Sequence, residues 1–255
     1  TGVSFNHTIN YKTIKELLGK MGIRVNCRFL GDATVDEMRH FLRAPLNILA
    51  DDTPDGRALE KWLENKYGCT FASHSFPVGA KQTAAFLYEI AEFFGCKEMV
   101  PGIIKEEEER YRQELRKLRP MLKGKRLVLT TINANIDYLL EALDYIGVEI
   151  VKIGVVNYLH QEIQISDTPE KYPIDENFNW TNLYDEINPL DPDIVISNFT
   201  PPVTDGDYVK DVMPMTPCAG FNSGLAIVKR WADLLGKRRE GGWMNDRKYF
   251  EMYQR

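Results

Sequence analysis

The chain has 255 residues, 44% of them hydrophobic and 27% charged, and this length predicts two domains of roughly 100–150 residues each. Its formal net charge of −5 argues against nucleic-acid binding, which requires a basic face, and no apolar run approaches the roughly 20 residues of a membrane-spanning helix. No CxxC pair and no secretory signal are visible, so we expect a cytoplasmic protein whose four cysteines are reduced: Cys27, Cys69, Cys96 and Cys218.

The first 96 residues predict a Rossmann-like α/β domain. Short apolar or β-branched runs alternate with segments of helical periodicity, which is typical of βαβ units and a parallel sheet. The pattern predicts strands over residues 23–29, 46–49 and 70–73. It predicts helices over residues 11–21, 54–67 and 81–94. Thr53 and Pro54 supply a cap and a first-turn proline for the second of these helices, and Gly68 is a typical helix stop.

Residues 97–124 predict a helix that connects two domains. Four consecutive glutamates, at positions 106–109, precede arginines at positions 110, 112, 116 and 119. Acidic residues early and basic residues late suit the helix dipole, and a charge run of this kind is typical of a solvated helix face. Pro120 and Gly124 are expected to end the helix.

Residues 125–236 predict a second Rossmann-like α/β domain, and residues 237–255 predict a loosely packed C-terminal tail. Strands are predicted over residues 127–131, 149–156 and 194–197, with a short one near 212–215. Helices are predicted over residues 135–146 and 221–235, and a loop over 167–179. The expected fold class is therefore α/β, with two Rossmann-like three-layer domains that each contain a parallel sheet.

Candidate functional residues follow the predicted strands, because ligands bind outside the carboxyl ends of parallel strands. These residues are Asp51, His74, Asn135, Asn198 and Cys218. We predict that all five contact a cofactor or substrate. For Cys218 the alternative is a small side chain that only packs, although its place in a loop at the rim of the sheet favours a functional role.

A metal site at this rim is a weaker candidate. His7, Asp51 and His74 are expected on one rim, and two imidazoles with a carboxylate can ligate iron or zinc. The alternative is that Asp51 and Asp52 only favour the start of the next helix, where carboxylates suit the dipole. Residues 79–83 could hold an anion at a helix start, but they contain neither of the glycine-rich phosphate-binding signatures.

Several segments, taken in order, resemble the nitrogenase component 1 family. This family includes the catalytic subunits of nitrogenase, their cofactor-assembly scaffolds, and subunits of the protochlorophyllide reductase type. The matching segments are GIRVNCRFLGDATVDEM (22–38), APLNILA (44–50), ALEKWLENKYGCTF (58–71), PVGAKQTAAFLYEIAEFF (77–94), RPMLKGKRLVL (119–129), LEALDYIGVEIVKIG (140–154), DPDIVIS (191–197) and GFNSGLAIVKRW (220–231).

The resemblance implies a place in a larger assembly. Subunits of the family have three Rossmann-like domains around a cofactor cleft, and this chain resembles the second and third. The first domain normally carries the cysteines of a shared iron–sulfur cluster. The implied partners are a homologous component 1 subunit and an ATP-dependent iron–sulfur reductase. An iron–sulfur cluster or metallocofactor is expected in the full assembly.

The chain departs from the catalytic nitrogenase subunit at three places. Asp51 stands where that subunit has a cofactor-ligating cysteine. Thr216, Pro217 and Cys218 occupy the loop that there contains the cofactor histidine. Residues 133–135, Asn-Ala-Asn, replace a basic loop. A dense anionic metal cluster needs thiolate or imidazole ligands and compensating cations, so we do not expect this chain to reduce dinitrogen.

Three functional hypotheses follow from these observations. The first is a nitrogenase-like oxidoreductase subunit, in which Asp51, His74, Asn135, Asn198 and Cys218 position a substrate or cofactor. The second is a non-catalytic scaffold that carries a metallocofactor or tetrapyrrole. The third is a two-lobed small-molecule binding protein, against which the single predicted crossing between domains, over residues 97–120, counts.

Overall fold

The structure is a computed structural model that describes residues 6–29, 31, 33–132, 135–156, 164–179, 183–198 and 208–237. The α-helices are α1 (His7–Lys20), α2 (Val35–Arg39), α3 (Pro54–Tyr67), α4 (Gly79–Phe94), α5 (Val100–Leu122), α6 (Asp137–Ile146), α7 (Leu183–Ile187) and α8 (Ser223–Lys237). The strands are β1 (Arg126–Thr131), β2 (Glu149–Val155), β3 (Ile174–Asp175), β4 (Ile194–Ser197) and β5 (Val209–Val212). Within these ranges no helix combines the length and the apolar character needed to cross a membrane.

The chain divides into two compact units. The first unit comprises Thr1–Glu114, Asp137–Leu139 and Pro214–Ala226. The second unit comprises Leu115–Ile136, Leu140–Met213 and Ile227–Arg255. Helices α5, α6 and α8 thus each contribute residues to both units. The domain boundaries predicted at 96/97, 124/125 and 236/237 stay predictions.

The second unit is built on a five-stranded parallel sheet with the strand order β3-β2-β1-β4-β5. Its central strand β1 is buried from Leu127 onward, which is expected where helices cover a parallel sheet on both faces. Strand β4 coincides with the predicted strand 194–197. Strand β5 begins three residues before the predicted position 212 and ends there. The parallel α/β architecture predicted from the alternating pattern is confirmed.

Local signals place several helix ends correctly. Helix α3 begins at Pro54, where the Thr53 side chain accepts a hydrogen bond from the Gly56 N–H, and it ends at Gly68 in the left-handed conformation. Helix α5 differs from the prediction, because it continues through Pro120 to Leu122. Proline has no backbone N–H, so Pro120 costs this helix one hydrogen bond, and that bond lies in the last turn. The burial of Leu118 and Leu122 stabilises the same turn and compensates for the missing bond.

All three strand predictions in the first unit need correction. Residues 23–29 form no strand, and residues 46–49 and 70–73 are joined only by one parallel bridge, Asn47 to Phe71. The alternating apolar residues of segment 23–29 do not belong to a sheet. Two of them, Ile23 and Val25, pack against a core formed mainly by helices. That core comprises Ile14, Leu17, Leu18, Met21, Ala72, Phe86, Leu87, Ile90, Ala91, Val100, Ile103, Ala219 and Phe221.

Candidate functional site

The loop that carries Cys218 is attached to the start of helix α4 within the first unit. We call residues 216–221 the Cys218 loop. The Gly220 N–H donates to the Pro77 carbonyl over 2.8 Å, and the Gly79 N–H donates to the Gly220 carbonyl over 3.1 Å. The Ser223 hydroxyl lies 2.9 Å from the Gly79 nitrogen and donates to the Gly220 carbonyl over 2.7 Å. These bonds hold the end of the loop in one position.

Helix α1 holds the other end of the Cys218 loop. The buried Asn10 side chain donates to the Pro217 carbonyl over 3.1 Å and accepts from the Ala219 N–H over 2.8 Å. Asn10 therefore binds the backbone on both sides of Cys218. Asn10 was not predicted as a functional residue; the available signal was its place four residues before Ile14, in line with the apolar face of the helix. A buried amide there needs partners.

Two glycines allow the close packing around this loop. Gly79 has a φ of +82°, and a Cβ atom there would lie 2.8 Å from the Cβ of Tyr138. Gly220 has a φ of +88°, and a Cβ atom there would lie 2.8 Å from the Thr13 Cγ2. Both positions combine a left-handed backbone with a contact that excludes any side chain.

Cys218 and Tyr138 form the chemically distinctive part of this cluster. Burial raises the pKa of the Cys218 thiol. Tyr138 is 7% exposed, and burial together with the nearby Cys218 raises the pKa of its hydroxyl. The Tyr138 hydroxyl has no hydrogen-bond partner among the residues that the structure describes. Burial thus favours the protonated form of both groups.

His74 and Asp51 also belong to the first unit. The Nδ1 of His74 lies 2.5 Å from the Glu89 carboxylate, which also accepts the backbone N–H groups of Ser73 and His74. Burial alone would raise the pKa of Glu89, but the hydrogen bonds from His74 and Ser73 outweigh it and lower that pKa. Asp51 is half-buried in the bend before α3. Carboxylate contact at Nδ1 leaves only Nε2 of His74 for a ligand.

The predicted residues of the second unit have structural partners. The buried Asn198 side chain accepts from the Ile132 N–H over 2.8 Å and from the Thr131 hydroxyl over 3.0 Å. Its amide donates to the Met213 carbonyl over 3.2 Å. Asn135 has a φ of +45° and an amide 3.3 Å from the Asp167 carboxylate. These bonds connect strand ends and loops, so a cofactor contact by either asparagine stays a prediction.

The described residues offer few ligands for a metal–sulfur group. Within those ranges of the chain no group of three or more His, Cys, Asp or Glu side chains could hold a metal ion. The His7 side chain lies outside the described residues, so the metal site at His7, Asp51 and His74 stays a prediction. All four cysteines are free. Iron–sulfur clusters held by protein alone use about four cysteine ligands, whereas Cys218 offers a single soft ligand.

A family model and the similar sequences point to the same family. A family model described as "Nitrogenase component 1 type Oxidoreductase" matches residues 2–235. The chain is 33% identical over 141 residues to the nitrogenase iron-molybdenum cofactor biosynthesis protein NifE of Rippkaea orientalis, covering 53% of this chain and 29% of that protein. It is 28% identical over 186 residues to NifE of Methanococcus maripaludis, covering 71% and 38%.

A molybdenum-iron protein alpha chain and a solved structure are also similar. The nitrogenase molybdenum-iron protein alpha chain of Methanosarcina barkeri is 24% identical over 144 residues, covering 55% of this chain and 27% of that protein. The structure of nitrogenase Cp1 at pH 5 superposes with a TM-score of 0.60 at 16% identity, covering 91% of this chain and 55% of that one. The chain thus spans well under half the length of these curated relatives.

Proposed function

Because the chain belongs to the nitrogenase component 1 type oxidoreductase family, we propose that it forms part of a subunit that holds a metal–sulfur cofactor reversibly during assembly and does not reduce dinitrogen. Its similarity to two cofactor biosynthesis proteins supports this role. The observation that carries the proposal is the presentation of one thiol, Cys218, on a loop fixed from both sides. A single protein ligand suits a cofactor that must later leave.

The protonation of Cys218 gives this attachment a pH dependence. Only the thiolate binds a metal, so binding must displace the thiol proton. Burial raises the pKa of Cys218, which makes protons stronger competitors than at an exposed cysteine. We expect cofactor retention to increase from about pH 7 to about pH 9 and to fall again when the pH is lowered.

The remaining predicted partners and residues belong to the same proposal. A homologous component 1 subunit would complete the assembly, and an ATP-dependent iron–sulfur reductase would supply electrons. Asp51 and His74 would contribute polar contacts from the first unit. The cofactor itself would supply the redox chemistry, while the chain would supply attachment and orientation.

Metal reconstitution tests the proposed role. The full chain is incubated without oxygen with ferrous iron and sulfide, then desalted, and the iron per chain is measured. We expect the wild type to retain iron and Cys218→Ser to lose about nine-tenths of it, since serine replaces a soft ligand with a hard one. Cys69→Ser is the matched control, because Cys69 is also half-buried in the first unit. Equal iron in Cys218→Ser and wild type would contradict the proposal.

A nitrogenase-like reductase subunit is the second candidate function. It is favoured by the similarity to molybdenum-iron protein alpha chains. The two roles differ in electron flow: a reductase complex with its natural partner would consume electrons from a low-potential donor with turnover, whereas a carrier would take up and release cofactor without it. Family membership favours both over a two-lobed small-molecule binding protein.

A further inference from the structure

The short segment that carries His74 is held by two charged side chains from neighbouring helices. Arg57 of α3 donates to the Ser73 carbonyl over 3.2 Å. Glu89 of α4 accepts from the Ser73 N–H over 2.5 Å and from the His74 N–H over 3.2 Å. Side chains thus bind the peptide groups on both sides of Ser73, as strand partners would in a sheet. The backbone that carries the His74 ring is therefore fixed, although it lies outside any helix or strand.

The Glu89 carboxylate also orients the ring of His74. Its Oε2 lies 2.5 Å from Nδ1. An ionised carboxylate only accepts hydrogen bonds, so Nδ1 carries the ring proton of neutral His74, and Nε2 presents a lone pair. Among the residues that the structure describes, Nε2 has no hydrogen-bond partner. The side chain is 46% exposed, so a ligand can reach the ring from solvent.

A purely structural role does not require this ring. The two backbone N–H groups already join Glu89 to residues 73–74, and the ring adds a third contact that leaves its second nitrogen unused. His40 provides the comparison within the same unit. Its Nδ1 lies 3.7 Å from the Asp36 carboxylate, beyond hydrogen-bond distance, and its side chain is 36% exposed. Two histidines of similar exposure thus differ in whether a carboxylate orients the ring.

We propose that His74 is a preorganised ligand for a first-row divalent metal ion, with Nε2 as the ligating atom and Glu89 as the carboxylate that orients the ring. Histidines that bind metals nearly always donate their other ring N–H to such an acceptor, and imidazole suits iron, nickel, copper and zinc. Water would complete the coordination, because in the described ranges no three His, Cys, Asp or Glu side chains could hold a metal ion together.

A site with one protein ligand exchanges its ion readily. Such exchange would suit an ion that is delivered to a cofactor during assembly. Only this use of the site rests on the proposed function, whereas the binding of a metal ion by His74 and Glu89 does not.

A nickel titration of the full chain, followed by the NMR signals of the histidine rings, tests the site at single residues. Ni²⁺ suits imidazole, whereas thiolates select softer ions, and it broadens the signals of a ring that it binds. His74→Gln and His40→Gln identify the two signals. We expect the His74 signal to broaden at about tenfold lower Ni²⁺ than the His40 signal, because only His74 has an orienting carboxylate. This comparison needs no variant of Glu89.

Two substitutions in α4 separate the orienting carboxylate from its charge. Glu89→Gln keeps the shape of the side chain and should weaken Ni²⁺ binding at His74 by about tenfold, since loss of such a partner typically costs about 10–100-fold. The His40 signal should respond as in the wild type, which shows that the variant is folded. Glu92→Gln is the matched control, because it removes an exposed carboxylate that pairs with Lys97. It should weaken binding by less than about twofold, since surface charges are screened.

The outcomes separate this site from the proposed function. If His74 and His40 bind Ni²⁺ equally, the ion is adventitious only and the site is wrong. If Glu92→Gln weakens binding as much as Glu89→Gln does, only the local charge matters and the role of Glu89 is wrong. A chain that retains no iron in the reconstitution but binds Ni²⁺ at His74 in the expected order would contradict the proposed function and support this site.

Discussion

Both units pair most of their buried polar side chains, as Asn10 shows in the first, but among the described residues only the first unit also contains buried polar side-chain atoms without a partner. In the second unit, Asn198 uses both its oxygen and its amide within the fold, and the buried Trp231 donates to the buried Asp211 over 3.0 Å. In the first unit, the Tyr138 hydroxyl and the Asn222 side-chain oxygen are buried and have no partner in the described ranges. Paired groups stabilise the fold, whereas a buried polar atom without a partner costs stability.

The units also differ in how distant parts of the chain are joined. Continuous ladders between parallel strands connect the second unit. The first unit depends on single bridges and on close contacts at glycines, such as the bridge between Val78 and Gly220. Substitutions at individual contacts should therefore have their largest effects in the first unit.

The largest expected effect is that of Gly79→Ala. The new methyl group would lie 2.8 Å from the Tyr138 Cβ at a φ of +82°, so we expect a loss of about 2–4 kcal/mol in the free energy of unfolding. Gly102→Ala is the control, because a Cβ there meets nothing within 4 Å and should stabilise α5 by about 1 kcal/mol. Similar urea midpoints for the two variants would show that the packing of Tyr138 on Gly79 is not tight.

The next effect is expected at Asn198 in the second unit. Asn198→Ala would leave the Ile132 N–H and the Met213 carbonyl without this partner and should cost about 2–3 kcal/mol in urea unfolding. Asn177→Ala, at an exposed position, should change the unfolding free energy by less than about 0.5 kcal/mol. A small effect at Asn198 would mean that its amide is not structural, which would strengthen its prediction as a cofactor contact.

The smallest effect is expected for the ion pairs between Lys20 of α1 and the glutamates of α5. Lys20 pairs with Glu106 over 2.8 Å and with the buried Glu107 over 2.7 Å. Lys20→Met should cost about 1 kcal/mol, because Arg110 still pairs with Glu107. Lys12→Met removes an exposed pair at 3.9 Å and should cost less than about 0.5 kcal/mol.

The pH dependence of unfolding checks the role of Lys20 independently. Burial alone would lower the pKa of Lys20, but the hydrogen bonds to Glu106 and Glu107 outweigh it, so the pKa lies above its ordinary value of 10.5. The stabilisation is therefore complete below 10.5 and is lost as the pH rises through the higher pKa of the folded state. The difference in urea midpoint between wild type and Lys20→Met should shrink above that pH, and a constant difference would contradict the ion pair.

Local signals in the sequence were sufficient for much of the fold. Thr53, Pro54 and Gly68 predicted both ends of α3, because caps and stops act within a few residues. The run 194–197 predicted β4 because buried parallel strands are continuously apolar. The strand predicted at residues 23–29 was wrong, since an alternating apolar pattern reports a buried face and not the partner that covers it.

By itself, the sequence determined the α/β class, the order of most helices and strands, the family resemblance, and the place of Cys218 in a loop between a strand and a helix. Only the tertiary structure decided what surrounds Cys218. Asn10 lies 207 positions from Pro217, and the packing of Tyr138 on Gly79 joins residues that no local pattern relates. Such contacts depend on where the whole chain folds, because hydrogen bonding and close packing act on distances in space and not along the sequence.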